Sequence, residues 1–255
     1  MIPGRALLDD VPAPTRTPLW RRLLRPLLAT LLVLGLLGFC ALQIRKQLGP
    51  PGSLDQAVLE GTRRVTGPVC IDEAQDVSGS MERYTALREQ AVEQLFLFAH
   101  RELRPTDQLA EAVFSGTAGV TLPPTSLHTM PARQRAPEPG DGTLLAPAVR
   151  ALTDADERAD RECAARALVA ISDGEVFDDP ADLRAALVDA AYTRVYLVVP
   201  GSVGGRPEVF KGDVLGGALV RRFSDAERLG VIFGEIAAEL TGERLEQRQV
   251  ETGRA

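Results

Sequence analysis

From residue 65 onward, two spacings of apolar residues alternate along the chain, one of about 3.6 residues and one of short unbroken runs. Residues 82–103 carry Leu87, Ala91, Leu95, Phe98 and Ala99 on one helical face, and Pro105 marks the end of that helix. Residues 108–114 and 119–122 read as strands parted by Ser115-Gly116, and 123–142 read as a long loop rich in Pro, Gly and polar residues. Residues 144–152 can be helical with Pro147 confined to the first turn. The run ALVAIS at 167–172 and the run VYLVV at 195–199 are short and wholly apolar, as strands buried on both faces are. A helix over 180–191, with Asp178 or Asp179 as its N-cap, lies between them. Residues 219–223 suit a short edge strand, and 225–240 an amphipathic helix with Leu229, Ile232, Phe233, Ile236 and Leu240 on one side. Helices alternating with apolar strands predict an α/β fold: a doubly wound, mostly parallel central sheet flanked by helices. In such sheets ligands bind at the carboxyl ends of the strands.

Upstream the pattern changes. Residues 27–44 form an 18-residue apolar run with Gln43 as its one strongly polar member. At 1.5 Å per residue the run spans roughly 27 Å, close to the hydrocarbon thickness of a bilayer, so we expect one transmembrane helix ahead of the α/β domain. A cleaved signal peptide fits less well, because Phe39-Cys40-Ala41 and Ala41-Leu42-Gln43 are poor cleavage triplets. The expected organisation is a disordered basic tail at 1–26, the span at 27–44, a juxtamembrane linker at 45–64, the domain at 65–242 and a flexible tail at 243–255.

Charge follows the same division. Residues 1–26 carry net +3, 27–44 none and 45–64 net +2, so the remainder holds -11 of an overall -6. Arg16, Arg21, Arg22 and Arg25 precede the apolar run, and Arg45 and Lys46 follow it. The positive-inside rule then puts the N-terminus in the cytoplasm and the domain outside the cell membrane. The acidic body argues against nucleic acid as a partner. Three Cys and two His exclude a disulfide-dense scaffold and His-rich zinc sites. Asp154, Asp156, Glu157 and Asp160, with Arg158 and Arg161, read as a solvated charged face.

Three polar clusters fall at strand ends or in loops: Asp76-Val77-Ser78-Gly79-Ser80, Asp141-Gly142-Thr143 and Ser172-Asp173-Gly174. Carboxylate and hydroxyl oxygens are hard ligands suited to an octahedral divalent cation. The order D-x-S-x-S, then a distant T, then a distant D resembles the metal-ion-dependent adhesion site of von Willebrand factor A domains. The resemblance covers residues 65 to about 240. It implies Asp76, Ser78, Ser80, Thr143 and Asp173 as the ligands of Mg²⁺, with Mn²⁺ or Ca²⁺ as substitutes. It also implies a protein partner whose Asp or Glu carboxylate completes the shell. The expected role is binding, not catalysis, since no general base stands apart from the metal carboxylates. The alternatives are an assembly or chaperone-type A-domain factor working with an ATPase, and a structural A domain with a degenerate site.

The segment before the first motif departs from the family pattern. Asp72, Glu73 and Gln75 sit where a strand buried on both faces is normally apolar. The expected consequence is a locally irregular or destabilised strand; the other reading makes Asp72 or Glu73 additional ligands. Family topology makes the strands near Cys70 and Cys163 neighbours, which allows a disulfide outside the cytoplasm. Cys163 precedes its strand by several residues, which leaves that register open.

Overall fold

The computed structural model describes residues 51–130, 133–136, 138, 140–202 and 217–248, with Leu32 and Leu34. The chain divides into two units, Met1–Leu48 and Gly49–Ala255, and the fold below is that of the second. The expected basic tail 1–26 lies outside the described residues, as does the expected span 27–44 apart from Leu32 and Leu34. Among the described residues no helix is long and apolar enough to cross a membrane.

The elements run β1 (Ala57–Glu60), β2 (Val69–Asp76), α1 (Thr85–Glu102), β3 (Gln108–Phe114), β4 (Ala118–Ser126), α2 (Ala146–Arg158), β5 (Ala165–Ile171), α3 (Pro180–Asp189), β6 (Arg194–Pro200), β7 (Leu219–Phe223), α4 (Ala226–Thr241) and β8 (Arg244–Gln247). Six strands form one sheet in the order β4-β3-β2-β5-β6-β7. All neighbours are parallel except β3 and β4, which pair antiparallel at one edge. Alternation along each strand sends side chains into two cores. Val69, Ile71, Val169, Tyr196 and Val198 pack with α1 and α4; Ala74, Leu168, Ala170, Leu197 and Val199 pack with α2 and α3.

β4 runs past Leu122 through Pro123 and Pro124, where the prolines suggest that the strand stops. An edge strand tolerates proline because its outward side needs no donors. The ladder slips at this point, from Leu109↔Thr125 to Glu111↔Leu122.

β2 is not irregular, contrary to the sequence reading. All eight of its residues are buried, and it keeps unbroken parallel register with β3 and β5 from Cys70 to Gln75. Its charges are compensated from distant parts of the chain. Asp72 lies on the α2 face, where its two oxygens pair with Arg161 and Arg166 at 2.6 Å. Asp156 joins both arginines. Asp156 and Arg161 are therefore in a buried ionic network, not on the solvated face their surroundings suggest. Glu73 points the other way and accepts a 2.8 Å hydrogen bond from the Gln75 amide. It stands in register beside Glu111 of β3, which accepts from the Thr121 hydroxyl at 2.7 Å and pairs with Arg133 at 2.8 Å. Burial, reinforced by Glu111, pushes the Glu73 carboxyl up to about 8, so it is mostly protonated at neutral pH. Asp72 commits both oxygens to arginines, whereas Glu73 commits Oε1 to Gln75 and leaves the buried Oε2 without a hydrogen-bond partner among the described residues.

Cys70, at the start of β2, is bonded to Cys163 in the segment leading into β5, with their Cα atoms 5.8 Å apart.

The folded unit is wider than 65–242. Leu54 and Ala57, from the expected linker, are fully buried, and β1 pairs antiparallel with β8 from the expected C-terminal tail, Ala57 facing Gln247. Leu54 sits against Gly230 and Gly234 of α4, where a Cβ at Gly234 would collide with the leucine side chain. Four-residue strands carry too little pattern to be seen in the sequence. The links from β1 to β2 and from α4 to β8 meet at the base of the sheet, where the Thr241 carbonyl accepts from Arg64 and Val65 just before β2. Asp107 holds that base: fully buried, it takes both Arg63 guanidinium bonds at 2.7 Å and the Val69 amide at 2.9 Å.

Candidate metal centre

The three polar clusters meet at the opposite end of the sheet, past the carboxyl ends of β2 and β5. Asp76 is the last residue of β2 and fully buried. Its Oδ1 accepts from the Ser78 backbone amide at 2.8 Å, and its Oδ2 from the Ser172 hydroxyl at 2.7 Å. The chain then turns, with the Met81 amide donating to the Ser78 carbonyl at 2.9 Å and the Met81 side chain buried beneath. This turn brings the Ser78 and Ser80 hydroxyls within 3.2 Å of each other. From α1 the buried Arg88 donates to the Asp76 carbonyl and, at 3.3 Å, to the Thr85 hydroxyl. Its burial lowers the guanidinium pKa from its usual value.

The second cluster is set by the turn after β3. Leu144 donates to the Ser115 carbonyl at 2.8 Å, and Gly140 to the Ser115 hydroxyl at 2.9 Å. Gly116 lies against Asp141 so closely that a Cβ would collide with its carbonyl, a close approach that glycine allows. Thr143 is held behind this contact, nearly buried at 6% exposure. Its hydroxyl has no hydrogen-bond partner among the described residues, while its carbonyl accepts from the Phe177 amide at 2.9 Å.

The third cluster follows β5. Ser172 donates to Asp76 and accepts from the Gly174 amide at 3.0 Å, with Gly174 at φ 86°. Asp173 Oδ1 accepts from the Glu175 amide at 3.1 Å. Asp178 ties the loop to the start of α2 by accepting from the Leu145 and Ala146 amides at 2.8 and 2.7 Å. Asp179 caps α3.

Asp76, Ser78 and Ser80 thus share one turn, the Ser172–Asp76 bond joins the Asp173 loop to it, and the Phe177–Thr143 bond joins the Thr143 loop to that of Asp173. No hydrogen bond links the Thr143 or Asp173 side chain directly to those of Asp76, Ser78 or Ser80 among the described residues. Ser115, Ser172 and Asp178 are positioning residues that the motif does not reveal; Ser172 adjoins a motif residue, but only the fold puts it against Asp76.

The donor set fits a hard divalent cation. Adjacent ligands at about 2.1 Å from an octahedral centre stand about 3 Å apart, close to the spacing of the two serine hydroxyls. Ser78, Ser80 and Thr143 supply neutral oxygens and Asp76 and Asp173 two charges. A group of three or more His, Cys, Asp or Glu suited to a metal is absent among the described residues, so a site here depends on hydroxyls.

No protein-family model matches the sequence, and no curated protein matches it. Solved structures do resemble it. The pilus adhesin SpaC from Lactobacillus rhamnosus GG is 11% identical over 71% of this chain and 31% of its own, with a TM-score of 0.52. A von Willebrand factor type A protein from Catenulispora acidiphila is 17% identical over 77% of this chain and 51% of its own, at 0.47. BatB from Bacteroides thetaiotaomicron is 19% identical over 66% of this chain and 97% of its own, at 0.45. The chain has a von Willebrand factor A-like fold: a six-stranded, mostly parallel sheet with one antiparallel edge, flanked by helices.

Proposed function

We propose that this protein is a membrane-anchored A domain that binds a protein partner through a divalent cation, and that it is not an enzyme. Asp76, Ser78, Ser80, Thr143 and Asp173 would hold Mg²⁺, or Mn²⁺ or Ca²⁺ in its place. The cation supplies a positive centre with an open position for a partner's Asp or Glu carboxylate. The chain's own part is to fix the oxygens. Asp76 is oriented by Ser172 and the Ser78 amide, and the Asp173 loop is clamped by Asp178. The observation carrying this reading is the assembly of the D-x-S-x-S turn with the Thr143 and Asp173 loops at one end of the sheet, with the Thr143 hydroxyl left open.

The anchor is inferred from the apolar run 27–44 and its flanking charge. The Cys70–Cys163 disulfide favours an oxidising compartment and hence a domain outside the cytoplasm. That weighs against an ATPase-coupled factor, which needs the cytoplasm. The case for a degenerate site rested on an irregular β2, and β2 is regular.

Calorimetric titration of the full chain in detergent with Mg²⁺ and Mn²⁺, beside Asp76→Ala, tests the proposal. We expect binding in the wild type, none in the variant, and cooperative unfolding in both. Equal binding by the two proteins would place the ion elsewhere and refute the site.

A further inference from the structure

Beside the candidate centre, one aromatic side chain faces solvent. Phe177 is 70% exposed and is the exposed Phe among the described residues. It does not hang on a loose loop. Its amide is bonded to the Thr143 carbonyl, Val176 before it packs against the α2–α3 core, and Asp178 after it is bonded twice to the start of α2. The same loop begins at Ser172, which touches Asp76. The ring is therefore carried at a fixed place next to a proposed cation ligand, where burying it would release ordered water.

Its surroundings are acidic. Asp141, two residues before Thr143, and Glu175, two residues before Phe177, are both exposed, and neither makes an ion pair among the described residues. Asp179 is exposed as well. An acidic ligand approaching past Asp141 and Glu175 without a cation meets like charge there; with one, its carboxylate gains an attractive point while a flank lying over these two residues still faces carboxylates.

We infer that the partner is a protein segment with three features: an Asp or Glu for the cation, a large apolar side chain beside it that seats on Phe177, and basic residues facing Asp141 and Glu175. Phe177 is then the specificity-determining contact, an aromatic anchor beside a polar rim. This inference rests on the metal-dependent reading of the site.

The test is an array of short synthetic peptides with a central Asp, Glu or Asn, an adjacent Phe, Leu or Ser, and Lys or Ser flanks. The full chain in detergent is applied in Mn²⁺ or in chelator. Phe177→Ser and Phe177→Leu run in parallel, with Mn²⁺ affinity read by electron paramagnetic resonance. We expect retention to need Mn²⁺, the central acid and the apolar neighbour. Phe177→Ser should weaken it about tenfold or more, and Phe177→Leu should keep most of it. All three proteins should bind Mn²⁺ equally. Acid-centred peptides retained in Mn²⁺ regardless of their neighbour, and equally by Phe177→Ser, would overturn the inference and leave the metal site standing. Absence of Mn²⁺ binding by the wild type, or retention in chelator, would remove both. Mn²⁺ binding with no peptide retained would overturn the partner assignment alone.

Discussion

Glu73 shows how one buried side chain sets a pH response. It is fully buried beside Glu111, and its carboxyl lies near 8 when folded against about 4.5 unfolded. The folded state therefore binds the proton more tightly, and stability falls as pH rises between those values. Below about 4.5 both states are protonated and the penalty is absent; above about 8 it is complete. Glu73→Gln keeps the shape and removes the titration. Its melting temperature should exceed that of the wild type by roughly 2–8 °C at pH 8.5, with the gap closing toward pH 5. Melting curves across that range check this, and a gap independent of pH would show that Glu73 is not the titrating group. The D-x-S-x-S part of the candidate motif reads at this scale because Asp76, Ser78 and Ser80 are local in the sequence, while Thr143 and Asp173 come from the order that the resemblance implies. Ser172 was not legible, since its role depends on meeting Asp76, 96 residues away.

At the scale of elements, apolar runs marked β5 and β6 and helical periodicity marked α1, α3 and α4, because burial on one or both faces writes itself into spacing. β2 obeyed a different rule. Its polar residues are neutralised by partners that local pattern cannot name: Arg161 and Arg166 reach Asp72 across 89 and 94 residues. Desolvation offsets much of what such a buried pair gains, but removing one partner leaves a buried charge uncompensated and is strongly destabilising. The Cys70–Cys163 bond holds the same place, binding the segment that carries Arg161 to the start of β2. It closes a loop of 93 residues, so reducing it, or replacing both cysteines with serine, should cost about 2–5 kcal/mol. Urea denaturation with and without reductant measures this. Unchanged stability would mean that the unfolded chain is compact already.

For the molecule as a whole, the doubly wound architecture followed from the alternation of elements, but its limits did not. The segment 45–64 reads as a linker because Gly49-Pro50-Pro51-Gly52 breaks structure within it. Leu54 nonetheless lies in the core between α1 and α4. Leu54→Ala should therefore cost about 2–5 kcal/mol, as core truncations do, and a denaturation midpoint equal to that of the wild type would return the segment to linker status. β1 and β8 run side by side away from the base, ending with the Arg248 amide on the Gln56 carbonyl, and Asp76 with its neighbouring loops occupies the pole opposite that base. Eight residues of β2 separate the poles, about 25 Å at strand rise. A fluorescent protein or affinity tag hung from either end of the folded unit is thus delivered to the α1–α4 side of the sheet, where Leu54 is packed. The same cargo spliced into residues 172–179 would land on the site itself.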